Sequence, residues 1–149
     1  WAFQPPVKAT PPIGDASMDV PNPIDAFVLT KLHAEGLSPN PPADKRTLLR
    51  RVTFDLTGLP PTPEEINAFL SDHSGNAFAK VVDRLLASPH YGERWARHWL
   101  DVARYADSNG LDENVVHGNA WRYRDYVVRS LNDDKRYDEF VVEQFGQRR

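Results

Sequence analysis

Cysteine is absent from this chain of 149 residues. Its absence excludes disulfides, thiolate zinc sites, cysteine-ligated iron–sulfur clusters, covalently attached c-type haem and cysteine nucleophiles. Length makes such crosslinks unnecessary, because a chain of this size buries a sizeable core as one domain without them. No apolar run approaches the roughly 18 residues of a membrane span, and no secretory leader is visible. Excess positive charge is lacking too. Eighteen Lys and Arg stand against 21 Asp and Glu, for a net charge of −3, and no basic stripe stands out, which argues against a nucleic-acid partner. Lysine itself is scarce: five against thirteen arginines, with Lys135 the sole lysine beyond Lys80. That bias favours fixed planar ion pairs, since a guanidinium meets a carboxylate in a rigid fork. There is no alternating β-branched run long enough for a strand, no internal repeat, no Gly-rich phosphate loop, no Gly-x-Ser-x-Gly elbow and no His-Glu-x-x-His pair. No cofactor is implied. The chain begins at Trp1 rather than Met, which reads as a processed protein or an excised fragment.

What is present is helical, and the expected architecture is all-α, with six to seven helices in one domain over residues 23–149. Residues 1–22 are proline-rich and without helical period, so they are expected to run extended, either as a free linker or laid across the helices with Trp1, Phe3 and Val7 as apolar anchors. Asn22 as N-cap, Pro23 at the first helical position and Gly36 as stop predict a helix over 23–35 with Ile24, Phe27, Val28 and Leu32 on its apolar face. Asp44 caps a second, with Leu48, Leu49, Val52 and Leu56 in one stripe ending before Gly58-Leu59-Pro60-Pro61. Thr62-Pro63-Glu64-Glu65 is a capping box opening a third helix, with Ile66, Phe69 and Leu70 inward. Phe78, Val81, Val82, Leu85 and Leu86 mark a fourth, broken by Ser88-Pro89. A fifth over 92–106 places Trp95, Trp99, Val102 and Ala106 on one side, with Glu93, Arg97, Asp101 and Arg104 opposite. The loop 108–118 precedes a sixth over 119–131, whose apolar arc includes Tyr123, Val127 and Trp121, and a short seventh runs from Tyr137 to Gln144.

All five tyrosines and three of four tryptophans fall within 91–137, interleaved with arginines, aspartates and His98. Such a mixture forms either a satisfied polar network or a ligand surface. Arg124 falls inside the apolar arc of the sixth helix. A guanidinium cannot neutralise itself there, so it is expected to meet Asp101 or Asp107 as a buried strut between helices five and six, or to face a cleft as a ligand-binding arginine. His98 and Asp101 are three residues apart and therefore neighbours on one face, with Arg94 and Tyr105 a turn to either side. A carboxylate orienting an imidazole serves acid–base chemistry, metal ligation or plain interhelix bonding. A metal needs a third ligand, and His90, His117, Asp112 and Glu113 lie in loops, so no metal site is predicted. The loop beginning at Asp107 resembles a calcium loop but lacks glycine at its sixth position and glutamate at its twelfth. Trp95, Trp99 and Trp121 serve either the core, the better fit to their apolar arcs, or the stacking of sugar rings.

Four strings, Asn22-Pro23-Ile24-Asp25, the run 50–62 ending in Gly58-Leu59-Pro60-Pro61-Thr62, the run 88–107 containing Glu93-Arg94-Trp95-Ala96-Arg97-His98-Trp99-Leu100-Asp101, and Trp121-Arg122-Tyr123-Arg124-Asp125-Tyr126-Val127, stand at intervals along the chain, and the match they mark covers nearly all of it. In them the chain resembles the planctomycete cytochrome-c-associated domain of unknown function, the second of its set. The resemblance implies a module of a large exported protein, hence periplasmic or extracellular, carrying a c-type cytochrome domain as neighbour. It brings no activity and no catalytic residues. After Gln144 the chain departs from the family's usual continuation, which implies truncation or vector-derived sequence. The expected function is a binding or docking module presenting Arg94, Arg104, Tyr105, Asp107 and Arg124 to a polysaccharide or partner domain. The alternative is a hydrolase of carbohydrate or ester bonds, with His98 and Asp101 as acid–base residues and Arg124 or Arg104 on the anion, in one concave pocket. A third reading is electron-transfer partnership with a neighbouring cytochrome.

Overall fold

A computed structural model of the chain describes residues 3–5, 7–12, 22–110 and 113–146, and among these it is all-α. Seven helices account for the regular structure: α1 Pro23–Ala34, α2 Lys45–Thr57, α3 Pro63–Ser71, α4 Ala77–Leu86, α5 Pro89–Val102, α6 Ala120–Asn132 and α7 Tyr137–Gln144. The sole β feature among the described residues is an isolated antiparallel bridge between Ser108 and Val116. No helix is long and apolar enough to cross a membrane among the described residues. The chain divides into two compact units, residues 1–42 and residues 43–149.

In the first unit, Asn22 starts α1 by accepting from the backbone N–H of Ile24 at 2.9 Å and of Asp25 at 3.1 Å. Pro23 costs nothing at the first position, where an N–H has no helical partner. The helix ends at Gly36, whose φ of 68° places it in the left-handed region, while the Leu37 N–H returns to the Leu32 carbonyl. The apolar face is less covered than its pattern implied. Ala26 is buried, whereas Ile24, Phe27 and Val28 are exposed. Phe3 and Val7, the expected anchors, are exposed as well, and Trp1 lies outside the described residues.

The second unit holds two hydrophobic cores. The first gathers Leu49, Phe69, Ala77, Val81 and Leu85 from α2, α3 and α4. Its helix starts are fixed locally. Asp44 accepts from the Thr47 N–H at 3.0 Å, and Thr62 and Glu65 complete a capping box at 3.2 and 2.8 Å. Lys45 closes the far end of α3 by donating to the Asp72 carbonyl at 2.7 Å. The second core joins Ala96, Val127 and Phe140 from α5, α6 and α7, with Trp99, Tyr123, Tyr126 and Leu131 packed around it. α2 packs on α3, α4 and α5, and α5 on α6, so α5 belongs to both halves of the unit.

α5 and α6 approach most closely at Gly92. A Cβ there would lie 2.5 Å from the Val128 carbonyl oxygen and 2.6 Å from Asn132 Cγ, so only glycine fits. Asn132 fastens the contact in both directions. Its Oδ1 accepts from the Gly92 N–H at 2.8 Å and its Nδ2 donates to the Pro89 carbonyl at 3.1 Å. Gly92 therefore faces Asn132 while Trp99 bonds Tyr123, which makes the pair antiparallel.

The fifth helix differs from its expected span at both ends. Ser88 and Pro89 end α4 but also begin α5, because the Ser88 hydroxyl accepts from the His90 N–H at 3.3 Å and proline suits the first helical turn. At the other end α5 stops at Val102, four residues early. Arg104 takes the left-handed conformation, φ 54°, and the N–H groups of Arg104 and Tyr105 return to the carbonyls of Asp101 and Leu100 at 3.2 and 2.9 Å. That is a complete Schellman stop without glycine. Asp134, φ 48°, ends α6 the same way.

Alanine at position 92 would gain about 1 kcal/mol of helix propensity, yet the clash with the α6 backbone outweighs it. Gly92→Ala is expected to lower unfolding free energy by about 2–3 kcal/mol in a denaturant titration. Asn132→Ala, which strands the Gly92 N–H, should cost about 1–2 kcal/mol.

Candidate functional site

The aromatic-rich half resolves into a relay and a cleft. In the relay, the Trp99 indole N–H donates to the Tyr123 hydroxyl at 2.9 Å, and that hydroxyl donates to Gln144 Oε1 at 2.6 Å. The Tyr126 hydroxyl donates to Glu143 Oε2 at 2.6 Å, and Lys135 Nζ reaches the same oxygen at 2.6 Å. The rings pack as a continuous ladder, Tyr105 on Tyr123, Tyr123 on Tyr126, Tyr126 on Phe140 and Phe140 edge-on to Trp99, with centroids 4.8–6.3 Å apart. Lys135 holds the Glu143 carboxyl below the ordinary carboxylate range, with help from Tyr126, and Glu143 in turn raises the Lys135 ammonium. Burial, then Glu143, pushes the Tyr126 phenol up.

The cleft opens between α5, α6 and α7. Its volume is about 480 Å³ and its walls are mostly apolar: Trp95, Trp99, Val102, Leu131, Tyr137 and Phe140. His98 stands at its side, its ring 5.2 Å from that of Trp95. The Trp95 indole N–H is buried and has no acceptor among the described residues. Tyr137 is 71% exposed and Val102 75%, so the cleft has a bare apolar lip.

The residues singled out from the sequence separate into distinct places. His98 borders the cleft, while Asp101 is exposed and shares no hydrogen bond or ion pair with it. Tyr105 and Asp107 lie beyond the end of α5 and bond each other, hydroxyl to Oδ1, at 2.6 Å; that bond raises the Tyr105 phenol. Arg124 corrects the sharpest expectation. It is exposed, and its Nε and Nη2 meet Oδ1 of the adjacent Asp125 at 3.1 and 3.0 Å. Asp125 is the main cause that raises its guanidinium, with smaller contributions from Tyr105 and Asp107. No buried strut forms, because the core covers α6 along Tyr123 and Val127, and Arg124 falls outside that stripe. Nor does one pocket hold His98, Asp101 and Arg124. Trp121 is exposed, with the Arg122 guanidinium 5.6 Å over its ring, and Val102 and Ala106 are exposed rather than packed. Arg94 turns to the opposite side of α5, against Gly58 at the end of α2.

Among the described residues no group of three or more Asp, Glu or His side chains is placed to hold a metal ion. His90 pairs with Glu93 at 2.8 Å, and Asp112 lies outside the described residues. The described flanks of the loop after α5 meet instead at the Ser108–Val116 bridge. Ser108 bonds Asn114, and Asn109 accepts from the Val115 N–H at 3.0 Å.

A family model, PSCyt2, described as a protein of unknown function (DUF1549), matches residues 23–148. The chain belongs to the PSCyt2 family. It is a planctomycete cytochrome-c-associated domain of unknown function. No curated protein and no solved structure is detectably similar to it. The PSCyt2 match takes in both the relay and the cleft, whose contributors from α7, Tyr137 and Phe140, were not among the sequence candidates. Only the concentration of aromatics up to Tyr137 signalled them.

Two outcomes follow for the PSCyt2 domain. Arg104 is a non-glycine in the left-handed region, so Arg104→Gly should leave the fold intact and raise stability by about 0.5–1 kcal/mol in thermal unfolding. The carboxyls of Asp44, Asp72, Asp138 and Glu143 are all lowered, chiefly by hydrogen bonds from Thr47, Ser74, Arg136 and Lys135 respectively. Lowered carboxyls stabilise fully above their unfolded values, near 4, and that stabilisation is lost as pH falls through the folded values. The melting temperature should therefore hold from these groups between pH 7 and 5 and fall below about pH 4, with a shallower fall in Glu143→Gln.

Proposed function

We propose that this domain is a non-catalytic binding module of a larger exported protein, and that its ligand is a saccharide ring seated in the cleft between α5, α6 and α7. The observation that carries the reading is the cleft's composition. Its volume, about 480 Å³, lies in the range of small-ligand sites, and it combines aromatic walls with a few polar groups. A sugar ring has the matching character: an apolar C–H face that packs on aromatic rings and a rim of hydroxyls. His98, which has no hydrogen-bond partner among the described residues, and the unaccepted Trp95 N–H supply donors for such a rim. The separation of His98 from Asp101 and Arg124 favours binding over the hydrolase alternative, which needs those groups to converge. A neighbouring domain of the parent protein, a c-type cytochrome domain among them, is the competing occupant of the same lip.

The test is a glycan array followed by calorimetric titration of the best hit. Tyr137→Ala and His98→Ala should each weaken binding about tenfold or more while the far-ultraviolet spectrum is unchanged. Trp121→Ala, away from the cleft, should bind as the parent does. Absence of any saccharide hit, or hits insensitive to Tyr137 and His98, would refute the assignment.

A further inference from the structure

On the α2 side of α5 the chain gathers arginines that it does not pair. Two depressions, of about 590 and 480 Å³, share Phe54 and Arg94 as a common wall. The first is bordered by Arg50 and Arg51 of α2, the second by Arg97 of α5. Arg50 lies 4.7 Å over the Phe54 ring. Among the described residues Arg51, Arg94 and Arg97 have neither a hydrogen bond nor an ion pair, and the Nε–H of Arg94 is buried without an acceptor. Two carboxylates, Asp55 and Glu93, border the same groove against four guanidinium groups, and Glu93 also bonds His90 at 2.8 Å. A chain of net charge −3 thus carries a locally cationic groove.

Arg94 is the centre of this feature. The Gly58 turn, φ 72°, lies against its stem, so that a Cβ there would lie 3.0 Å from Arg94 Cδ. A half-buried guanidinium cannot shed its proton, and each N–H left without an acceptor is costly. Folding alone would favour an ion pair for it, and among the described residues none forms, although Asp55 and Glu93 border the same depressions. Phe54 and Phe78, with Leu48 and Leu59, give the groove an apolar part, beside which Thr57 and His90 also line it. Both depressions far exceed a bare ion.

We infer that the α2–α5 groove is a binding site for an organic oxyanion, its phosphate or carboxylate head held by Arg94 with Arg51 and Arg97, its ring or chain lying along Phe54 and Phe78. The head supplies the missing acceptor for the guanidinium and the body packs against exposed Phe78 and half-buried Phe54. Arginine suits this site better than lysine, because its planar fork binds such heads in two places at once. The groove is separate from the aromatic cleft on the other side of α5, so the two assignments stand independently.

Phenyl phosphate, benzoate, inorganic phosphate and the neutral benzyl alcohol, each titrated into the chain at constant ionic strength and followed calorimetrically, test the site. Phenyl phosphate or benzoate should bind saturably and at least about tenfold tighter than benzyl alcohol, since the charged head accounts for most of the affinity. Whichever head binds tighter identifies the ligand class, and inorganic phosphate should bind more weakly than phenyl phosphate because it lacks the body. Arg94→Gln and Arg97→Gln should each reduce affinity about tenfold. Asp55→Asn should increase it, an effect no purely structural role predicts. Should Arg94→Gln fail to fold by circular dichroism, the exposed Arg97 decides the matter. Equal affinity for the charged and neutral probes, or anion binding unchanged in Arg97→Gln and Asp55→Asn, would overturn the inference.

Discussion

The second unit is organised by one close approach, that of α5 to α6 at Gly92. A backbone carbonyl of Val128 and the side chain of Asn132 occupy the space a Cβ would need. Glycine inside a helix costs about 1 kcal/mol relative to alanine. That cost is accepted because the Asn132 amide then serves both the Gly92 N–H and the Pro89 carbonyl, tying the first turn of one helix to the last of the other. With one end fixed, the antiparallel run of α5 along α6 is set, and every later pairing inherits its register. Ala96 meets Val127, and Trp99 meets Tyr123.

The polar relay is a consequence of that register. A half-buried tryptophan and two half-buried tyrosines each bring one polar atom into an apolar neighbourhood, where an unmet donor is expensive. The solution passes the bond along: Trp99 to Tyr123, Tyr123 to Gln144, Tyr126 to Glu143, with Lys135 closing on Glu143. α7 is short, eight residues, and could not hold its place through Phe140 alone. Gln144 and Glu143 give it two further attachments, so the helix that completes the cleft is positioned by hydrogen bonds as much as by packing.

Much of this was legible locally and little of it globally. The Thr62 capping box, the Asn22 and Asp44 caps and the Gly36 stop are decided by neighbouring residues, and the sequence displays them. The end of α5 was not legible, because its left-handed stop is occupied by Arg104 and no glycine advertises it. Once α5 is extended in error to residue 106, Tyr105 joins the His98–Asp101 face and a pocket seems to assemble that the true stop disperses. Arg124 failed for a related reason. A helical wheel gives the angle of a residue but not how much of the arc its neighbours cover, and coverage of α6 stops short of both Arg124 and Trp121. The reverse case is Arg94, whose angle made it a border residue but whose surroundings, the Gly58 turn and Phe54, come from another helix altogether.

The arginine excess takes on a different meaning in this light. Fixed ion pairs were the natural expectation from thirteen arginines and 21 carboxylates, yet the arginine pairs that form among the described residues are few and exposed: Arg84 with Glu65, Arg124 with Asp125 and Arg136 with Asp138. Exposed pairs of this kind contribute at most about 1 kcal/mol each, so they do not explain why arginine displaced lysine. Guanidinium groups over aromatic rings, Arg50 on Phe54 and Arg122 on Trp121, explain part of it, since a planar cation is more weakly hydrated and stacks where an ammonium does not. Of the rest, Arg51 on α2 and Arg94 and Arg97 on α5 form no ion pair among the described residues. Self-repulsion among such groups is a cost the fold bears without return from its own carboxylates, and that cost is the physical reason to look outside the chain for the opposite charge.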